Sequence, residues 1–382
     1  MKNGCYFDYC ATTPVDDFVR QEMAPFFDEL FGNPSSMHGY GNQVRQALEL
    51  ARSRVAEGLN CSPENLVFTS GATEANNLAL MGVMNSLPTH KNHLITTSIE
   101  HHSILHTAET LEKRGYQVSY LPVNAQGLVA PESLASVIRP STGLISVMMV
   151  NNEVGTIQDI QALGEIACQA GVIFHTDAVQ AAPFLELDLQ NLPVDLLSLS
   201  AHKMYGPKGA GALFLREGVP LSPLLYGGAQ ERKLRPGTEN VPGIVGLGAA
   251  MVLRAEKLSS RATHCRGLRQ SLIEQIQSRF PEAVVHGPEA QTAPHIISVG
   301  FPGVDGEMLL FHLNRHRIAV SLGSACTSES LEPSHVLSAL GVSGPLIQST
   351  IRISIGSPTR EQEIDRLLAV LPEVLELSRH QS

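Results

Sequence analysis

The chain has 382 residues, 43% of them hydrophobic, with 37 acidic and 27 basic side chains and a formal net charge of −10. That length can bury a large core and makes two domains the natural expectation, while the acidic balance excludes the basic footprint that nucleic-acid binding requires. No apolar run reaches the length of a membrane helix, and the N-terminus MKNGCYFDYCATTPVDD meets acids too early for a secretory leader, so a cytoplasmic location is expected.

Six cysteines (Cys5, Cys10, Cys61, Cys168, Cys265 and Cys326) are scattered without a C-x-x-C pair. That spacing argues against a disulfide scaffold or a zinc framework, and no metal site is expected. From about residue 60 to 215, strand-like runs alternate with helix-like segments. ENLVFTSG precedes ATEANNLALMGVMNSL, KNHLITTSIE precedes HHSILHTAETLEKRG, and GLISVMMV precedes DIQALGEIACQAG; GVIFHTDAV, VDLLSLSAH and GAGALFLRE close the series. This alternation predicts an α/β fold with a mainly parallel sheet, whose ligands sit at the carboxyl ends of the strands. After about residue 250 one long helical pattern runs through RGLRQSLIEQIQSRF. Short strands at HIISVGF, IAVSLG and TIRISIG follow, with helices at GEMLLFHLNRH and REQEIDRLLAVLPEVLEL, which reads as a smaller α+β domain.

Six places in this pattern carry candidate chemistry. In VFTSGATEANN the backbone N–H groups of Ala72 and Thr73, with the Thr73 hydroxyl, suit a phosphate dianion at a strand–helix turn, although small residues are common at such turns. His101 follows the next strand and suits stacking on a flat ring; the adjacent His102 points elsewhere, so a two-histidine metal site is not expected. Asp177 ends the strand GVIFHTD, where an acid either keeps a pyridine nitrogen protonated or caps a following helix. Gln180 is placed to donate to a ring oxygen. Lys203 lies just past the buried strand LLSLS, and reads as either a solvated loop lysine or a partly desolvated amine suited to carbonyl chemistry. Cys326 sits in SLGSACTSESLEP among small polar residues, the profile of an exposed, flexible loop that presents a reactive thiol. Alternation in TIRISIG puts Ile351, Ile353 and Ile355 on one face and Arg352 with Ser354 on the other; Arg352 either grips a carboxylate or pairs with a neighbouring strand.

Together, FDYCATTPVD, FGNPSSMHGYG, FTSGATEANNLAL, IEHHSIL, VNNEVGTIQDI, HTDAVQA, SLSAHKMYGPKG, RPGTENVPGIVG, SACTSESLEPSHVLSALG and IRISIG resemble the cysteine desulfurases. These belong to the class V aminotransferase group of fold-type I pyridoxal 5′-phosphate (PLP) dependent transferases. The resemblance runs almost the whole chain and implies a large PLP-binding domain at 14–250. Residues 1–13 and 251–382 would then form a small domain carrying the Cys326 loop, of the long SACTS type. It implies a Schiff base of PLP on Lys203, with His101 stacked on the ring, Asp177 at the pyridine nitrogen and Gln180 at the ring oxygen. Ala72, Thr73, Ser200 and His202 would hold the phosphate, and Thr238 would reach the phosphate of the second subunit of a homodimer. Asn152 and Arg352 would orient the substrate L-cysteine, with Lys203, Cys326 and His101 catalytic.

The implied reaction leaves alanine and a persulfide on Cys326, whose sulfur passes to an acceptor protein for iron–sulfur cluster or thio-cofactor and tRNA synthesis. A selenocysteine lyase or class V aminotransferase on the same fold, or a non-catalytic sulfur-relay scaffold, shares part of this pattern. Cys10 departs from the small non-thiol residue usual in its motif, and a structural role is expected for it. The chain ends soon after LELSRHQS, whereas relatives serving the general iron–sulfur scaffold have a longer tail, so a dedicated sulfur donor of the nitrogen-fixation type fits equally well.

Overall fold

The computed structural model describes residues 4–322 and 333–379. In chain order, strand β1 (Cys5–Tyr6) and helices α1 (Asp17–Met23) and α2 (Gly39–Leu59) precede strand β2 (Leu66–Thr69) and helix α3 (Ala72–Ser86). Strand β3 (His93–Thr97), helix α4 (His102–Lys113), strand β4 (Gln117–Leu121), helix α5 (Pro131–Val137) and strand β5 (Thr142–Ser146) follow. Helix α6 (Ile160–Gln169) and strands β6 (Ile173–Asp177), β7 (Leu196–Ser200) and β8 (Gly211–Leu215) lead into helix α7 (Val241–Arg279).

Strands β2 to β8 form one seven-stranded sheet in the spatial order β2-β8-β7-β6-β5-β3-β4. Four neighbouring pairs, from β4 across to β7, are parallel, as the alternation predicts. β8 differs: it runs antiparallel to both β7 and β2. The connection through residues 201–210 holds no crossover helix, and a parallel return needs one, so the chain turns back on itself. β2, β3, β5 and β7 are buried at every residue, which is why they read as unbroken runs. β4 is absent from the sequence reading because it is a half-exposed edge strand, QVSYL, without an apolar run.

In the second part, β9 (Val284–His286), β10 (Ile296–Gly300), β12 (Ser321–Leu322) and β13 (Thr350–Ser354) form a four-stranded antiparallel sheet. The segment IAVSLG divides at Val320: its first half, β11 (Ile318–Ala319), pairs in parallel with β1, and its second half pairs with β13. Helices α8 (Gly306–Arg315), α9 (His335–Ala339), α10 (Gly344–Gln348) and α11 (Glu361–Leu377) complete this part. Ile351, Ile353 and Ile355 lie in one apolar core with Leu367 and Leu371, as alternation requires. The 39-residue α7 ties the two parts together: Val241 to Leu253 enter the core beneath the large sheet, while Cys265, Leu272 and Ile276 enter the other. Residue 250, the boundary drawn from sequence, thus falls within a continuous helix. Among the described residues no helix is long and apolar enough to cross a membrane.

Candidate active site

The carboxyl ends of β2, β3, β5, β6 and β7 surround a cavity of about 470 Å³, closed on its other side by residues 10–11 and by Arg352 of β13. At β2 the strand gives way to α3 through Gly71, whose φ of +154° is one that residues with a Cβ rarely adopt. β8 also passes so close that a Cβ on Gly211 would lie 2.7 Å from the Gly71 Cα. The helix thus begins at Ala72 with no side-chain cap, and its first N–H groups have no acceptor within the helix. Ser70, Ala72, Thr73, Ser200 and His202 all line this end of the cavity. Burial lowers the His202 pKa to about 4, with Lys203 and Lys208 acting in the same direction, so its imidazole is neutral at pH 7.

Asp177 ends β6 and is 6% exposed. One oxygen accepts from Asn76 Nδ2 of α3 (2.7 Å) and the other from the backbone N–H of Val179 (2.9 Å). No helix follows it, only turns, so the acid serves the cavity and its own loop rather than a helix end. Gln180 lines the cavity too; its Nε2 donates to the Cys10 carbonyl (3.0 Å), which uses one of the two N–H groups of an amide. His101 caps α4: its Nδ1 accepts from the Ser103 N–H (3.1 Å) and meets the Ser103 hydroxyl (2.8 Å). Burial holds its pKa below the ordinary histidine value, against the pull of the Asp177 carboxylate. His102 turns away to His106 and His335, with ring centroids 5.0 and 4.8 Å apart. Among the described residues no group of three or more His, Cys, Asp or Glu side chains is arranged to hold a metal ion.

Lys203 follows β7 and is half-buried, its Nζ donating to the carbonyls of Cys10 and of Ala11 (2.9 Å to the latter). Residues 10 and 11 are therefore part of the site, which the sequence reading of Cys10 as structural did not foresee. The Cys10 N–H donates to Ser354 Oγ (3.0 Å), and burial pushes its thiol pKa up. Arg352 makes the ion pair of one sequence reading and also has a place in the cavity wall. Its Nη2 donates to Asp8 (2.9 Å) and its Nη1 to the Asn152 carbonyl (2.9 Å), yet it lines the cavity and its buried Nε has no partner. Asn152 lines the same wall. Asp8, 344 positions away in sequence, carried no signal of its own.

These residues fit PLP on the structure's own terms. An uncapped helix end suits a phosphate, a buried carboxylate suits a protonated ring nitrogen, and a lysine lines the same cavity as an arginine whose buried Nε has no hydrogen-bond partner. Thr238 is exposed and outside this cavity. Cys326 lies outside the described residues.

Behind His101, Glu100 is wholly buried. Its Oε1 accepts from the Met148 N–H and the Thr97 hydroxyl, both at 2.8 Å, while Oε2 has no partner. Desolvation pushes its pKa up to about 8 from 4.5. The folded state keeps a proton that the unfolded state releases between those values, so Glu100 costs stability progressively as pH rises through this window. His175 and His295, both lowered to about 3 by burial, act in the opposite sense. They favour the fold above their unfolded pKa, and that stability is lost as pH falls from about 6.5 towards 3. Glu100→Gln is therefore expected to gain Tm relative to the unsubstituted protein as pH rises from about 5 to about 8. Thermal scans across that range check this, and a pH-independent difference would contradict it.

The class-V aminotransferase family pattern matches residues 5–367. A protein named cysteine desulfurase IscS, from Clostridium botulinum, is 44% identical over 384 residues, covering 100% of this chain and 97% of its own length. Among solved structures, one titled NifS-like protein is 40% identical with a TM-score of 0.93, covering 98% of this chain and 100% of its own. Another, titled SspA in complex with cysteine, is 40% identical with a TM-score of 0.82, covering 92% and 99%.

Proposed function

The chain belongs to the class-V aminotransferase family and, within it, to the cysteine desulfurases; from that premise we propose that Lys203 carries PLP in this cavity and that Cys326 takes the sulfur of L-cysteine. The observation that carries this reading is the convergence of Lys203, Asp177, Arg352 and the uncapped start of α3 on one cavity. When bound, PLP supplies an aldehyde that condenses with amines and a ring that stores electrons released at the substrate α-carbon. Asp177, held by Asn76 and the Val179 N–H, keeps the ring nitrogen protonated. Ala72, Thr73, Ser200 and His202 hold the phosphate, His101 stacks on the ring and Gln180 donates to its oxygen.

Arg352 and Asn152 orient the substrate carboxylate. Lys203 Nζ would take the α-proton of the bound substrate. The Cys326 thiolate then attacks the substrate sulfur: the new S–S bond forms as the substrate Cβ–S bond breaks, and its electron pair remains with the three-carbon fragment. Protonation of that fragment, with His101 as a proton carrier, gives alanine. An acceptor thiolate then attacks the outer sulfur of the persulfide: the new S–S bond forms as the old one breaks, the Cys326 thiolate leaves, and the sulfur passes on as a persulfide at the same oxidation level.

Incubating the protein with PLP, L-cysteine and a reductant should release alanine; pyruvate as the organic product would overturn the assignment in favour of another lyase. Arg352→Lys should raise KM for cysteine by about tenfold or more, because a point charge replaces a bidentate donor. The absorbance of bound cofactor should stay unchanged, and an unaltered KM would count against Arg352 as the carboxylate anchor.

The reading extends to a homodimer. Phe27 and Phe31 are 67% and 68% exposed and Tyr226 is 89% exposed, a large apolar display for a monomer. Pro34 and Ser35, shortly after Phe31, and Ala229 and Gln230, shortly after Tyr226, line one cleft, and the second pair is close in sequence to exposed Thr238. Sedimentation at micromolar concentration should return twice the chain mass of 41.1 kDa, and a monomer would contradict this part of the proposal. The reaction is assigned to the cytoplasm, where thiols stay reduced, and the five described cysteines are all free.

A further inference from the structure

Glu74 places a carboxylate in the wall where a phosphate dianion is proposed to sit. It is the third residue of α3, and its Oε2 reaches back to accept the Ser70 N–H (2.7 Å), which shapes the turn. Its Oε1 lies 2.9 Å from Arg235 Nε, with a second contact of 3.5 Å from Nη2 to Oε2. Burial works to raise the Glu74 pKa, but the bonds from Arg235 and Ser70 outweigh it and bring the pKa below the ordinary value, so the group is ionised.

Arg235 reaches this position from an unusual stretch of backbone. Glu231, Arg232 and Lys233 have φ of +44°, +57° and +66°, three consecutive non-glycine residues in the left-handed region. Their side chains crowd the backbone there, and such a run persists only where its surroundings fix it. The buried Glu231 carboxylate supplies the fixing: it accepts from Arg52 Nη1 (3.1 Å) and Nη2 (2.5 Å) and from the Phe68 N–H (2.9 Å). Arg52 and Arg232 both donate to the Leu66 carbonyl, at 3.1 and 2.7 Å. Leu66 and Phe68 belong to β2, the strand that ends at the Ser70 turn. One loop therefore grips this strand twice, along its length through Glu231 and beyond its end through Arg235 and Glu74.

We propose that Arg235 is a positioning residue for the cofactor phosphate: its guanidinium cancels the charge of Glu74, so that this carboxylate can shape the turn without repelling the phosphate, and the Glu231–Arg52 pair keeps Arg235 in place. The inference rests on the phosphate site proposed above.

The test titrates full-length protein, freed of cofactor by dialysis, with PLP and with pyridoxal, which lacks the phosphate, and follows binding by absorbance. Arg235→Gln should raise the Kd for PLP by about tenfold, because one uncompensated charge then faces the phosphate. The Kd for pyridoxal should move less than about twofold, because that charge has no phosphate to repel. Glu74→Gln combined with Arg235→Gln should recover most of the PLP affinity, and Glu231→Gln should reproduce the selective loss. Equal weakening of both ligands by Arg235→Gln, or a double variant no better than the single one, would overturn the inference while leaving the phosphate site intact. Unsubstituted protein that binds PLP no better than pyridoxal would instead overturn the phosphate site itself.

Discussion

Lys203→Ala is expected to lower alanine formation from cysteine by about four orders of magnitude, the upper range for a single proton-transfer group. The size of the effect follows from the two tasks that meet on one Nζ. In the proposed mechanism that amine anchors the aldehyde and then takes the α-proton, and among the described residues Lys208 is the only other lysine that lines the cavity. Lys208 lies in the turn that leads into β8, five residues beyond Lys203. The fold should survive, since Lys203 is half-buried and its bonds go to two backbone carbonyls rather than to a buried charge. Absorbance should show cofactor bound without the covalent link, while circular dichroism stays unchanged. Turnover within about tenfold of the unsubstituted protein would remove Lys203 from the mechanism.

The second large effect belongs to Cys326→Ala, which should lower alanine formation by at least about a hundredfold while the cofactor remains bound. The reason lies in the other cysteines. Cys10 is the only described cysteine that lines the cavity, and burial pushes its thiol pKa up. Burial likewise raises Cys5, and it pushes Cys61 and Cys265 up to about 12, so none is a ready thiolate at neutral pH. Cys168 is exposed but lines a different cleft with Pro193 and Arg216. No described thiol can therefore stand in. Unchanged alanine formation in Cys326→Ala would mean that sulfur leaves by another route.

Much of the site was legible from sequence because its fold puts chemistry at predictable points. Ala72, Thr73, His101 and Lys203 follow strands of the large sheet and Asp177 ends one, and an α/β sheet gathers those ends at one rim. Local pattern could not pair Arg352 with Asp8, because alternation shows which face a residue takes but not what lies opposite. The reversal of β8 was hidden for a related reason: GAGALFLRE has the same apolar character whichever way it runs, and only the helix-free connection after Lys203 decides the direction. Cys10 read as structural because it departs from the small non-thiol residue usual in its motif, and that reading gave no hint that its backbone carbonyl accepts from both Lys203 and Gln180. Thr238 had a role only by resemblance, one that involves a second chain.

The most direct test of the account is a single turnover with L-cysteine in the absence of reductant, followed by mass analysis of the peptides and of the amino-acid product. The account predicts one added sulfur atom on the peptide containing Cys326 and an equal amount of alanine. Alanine without that added sulfur, or sulfur carried on another cysteine, would contradict it.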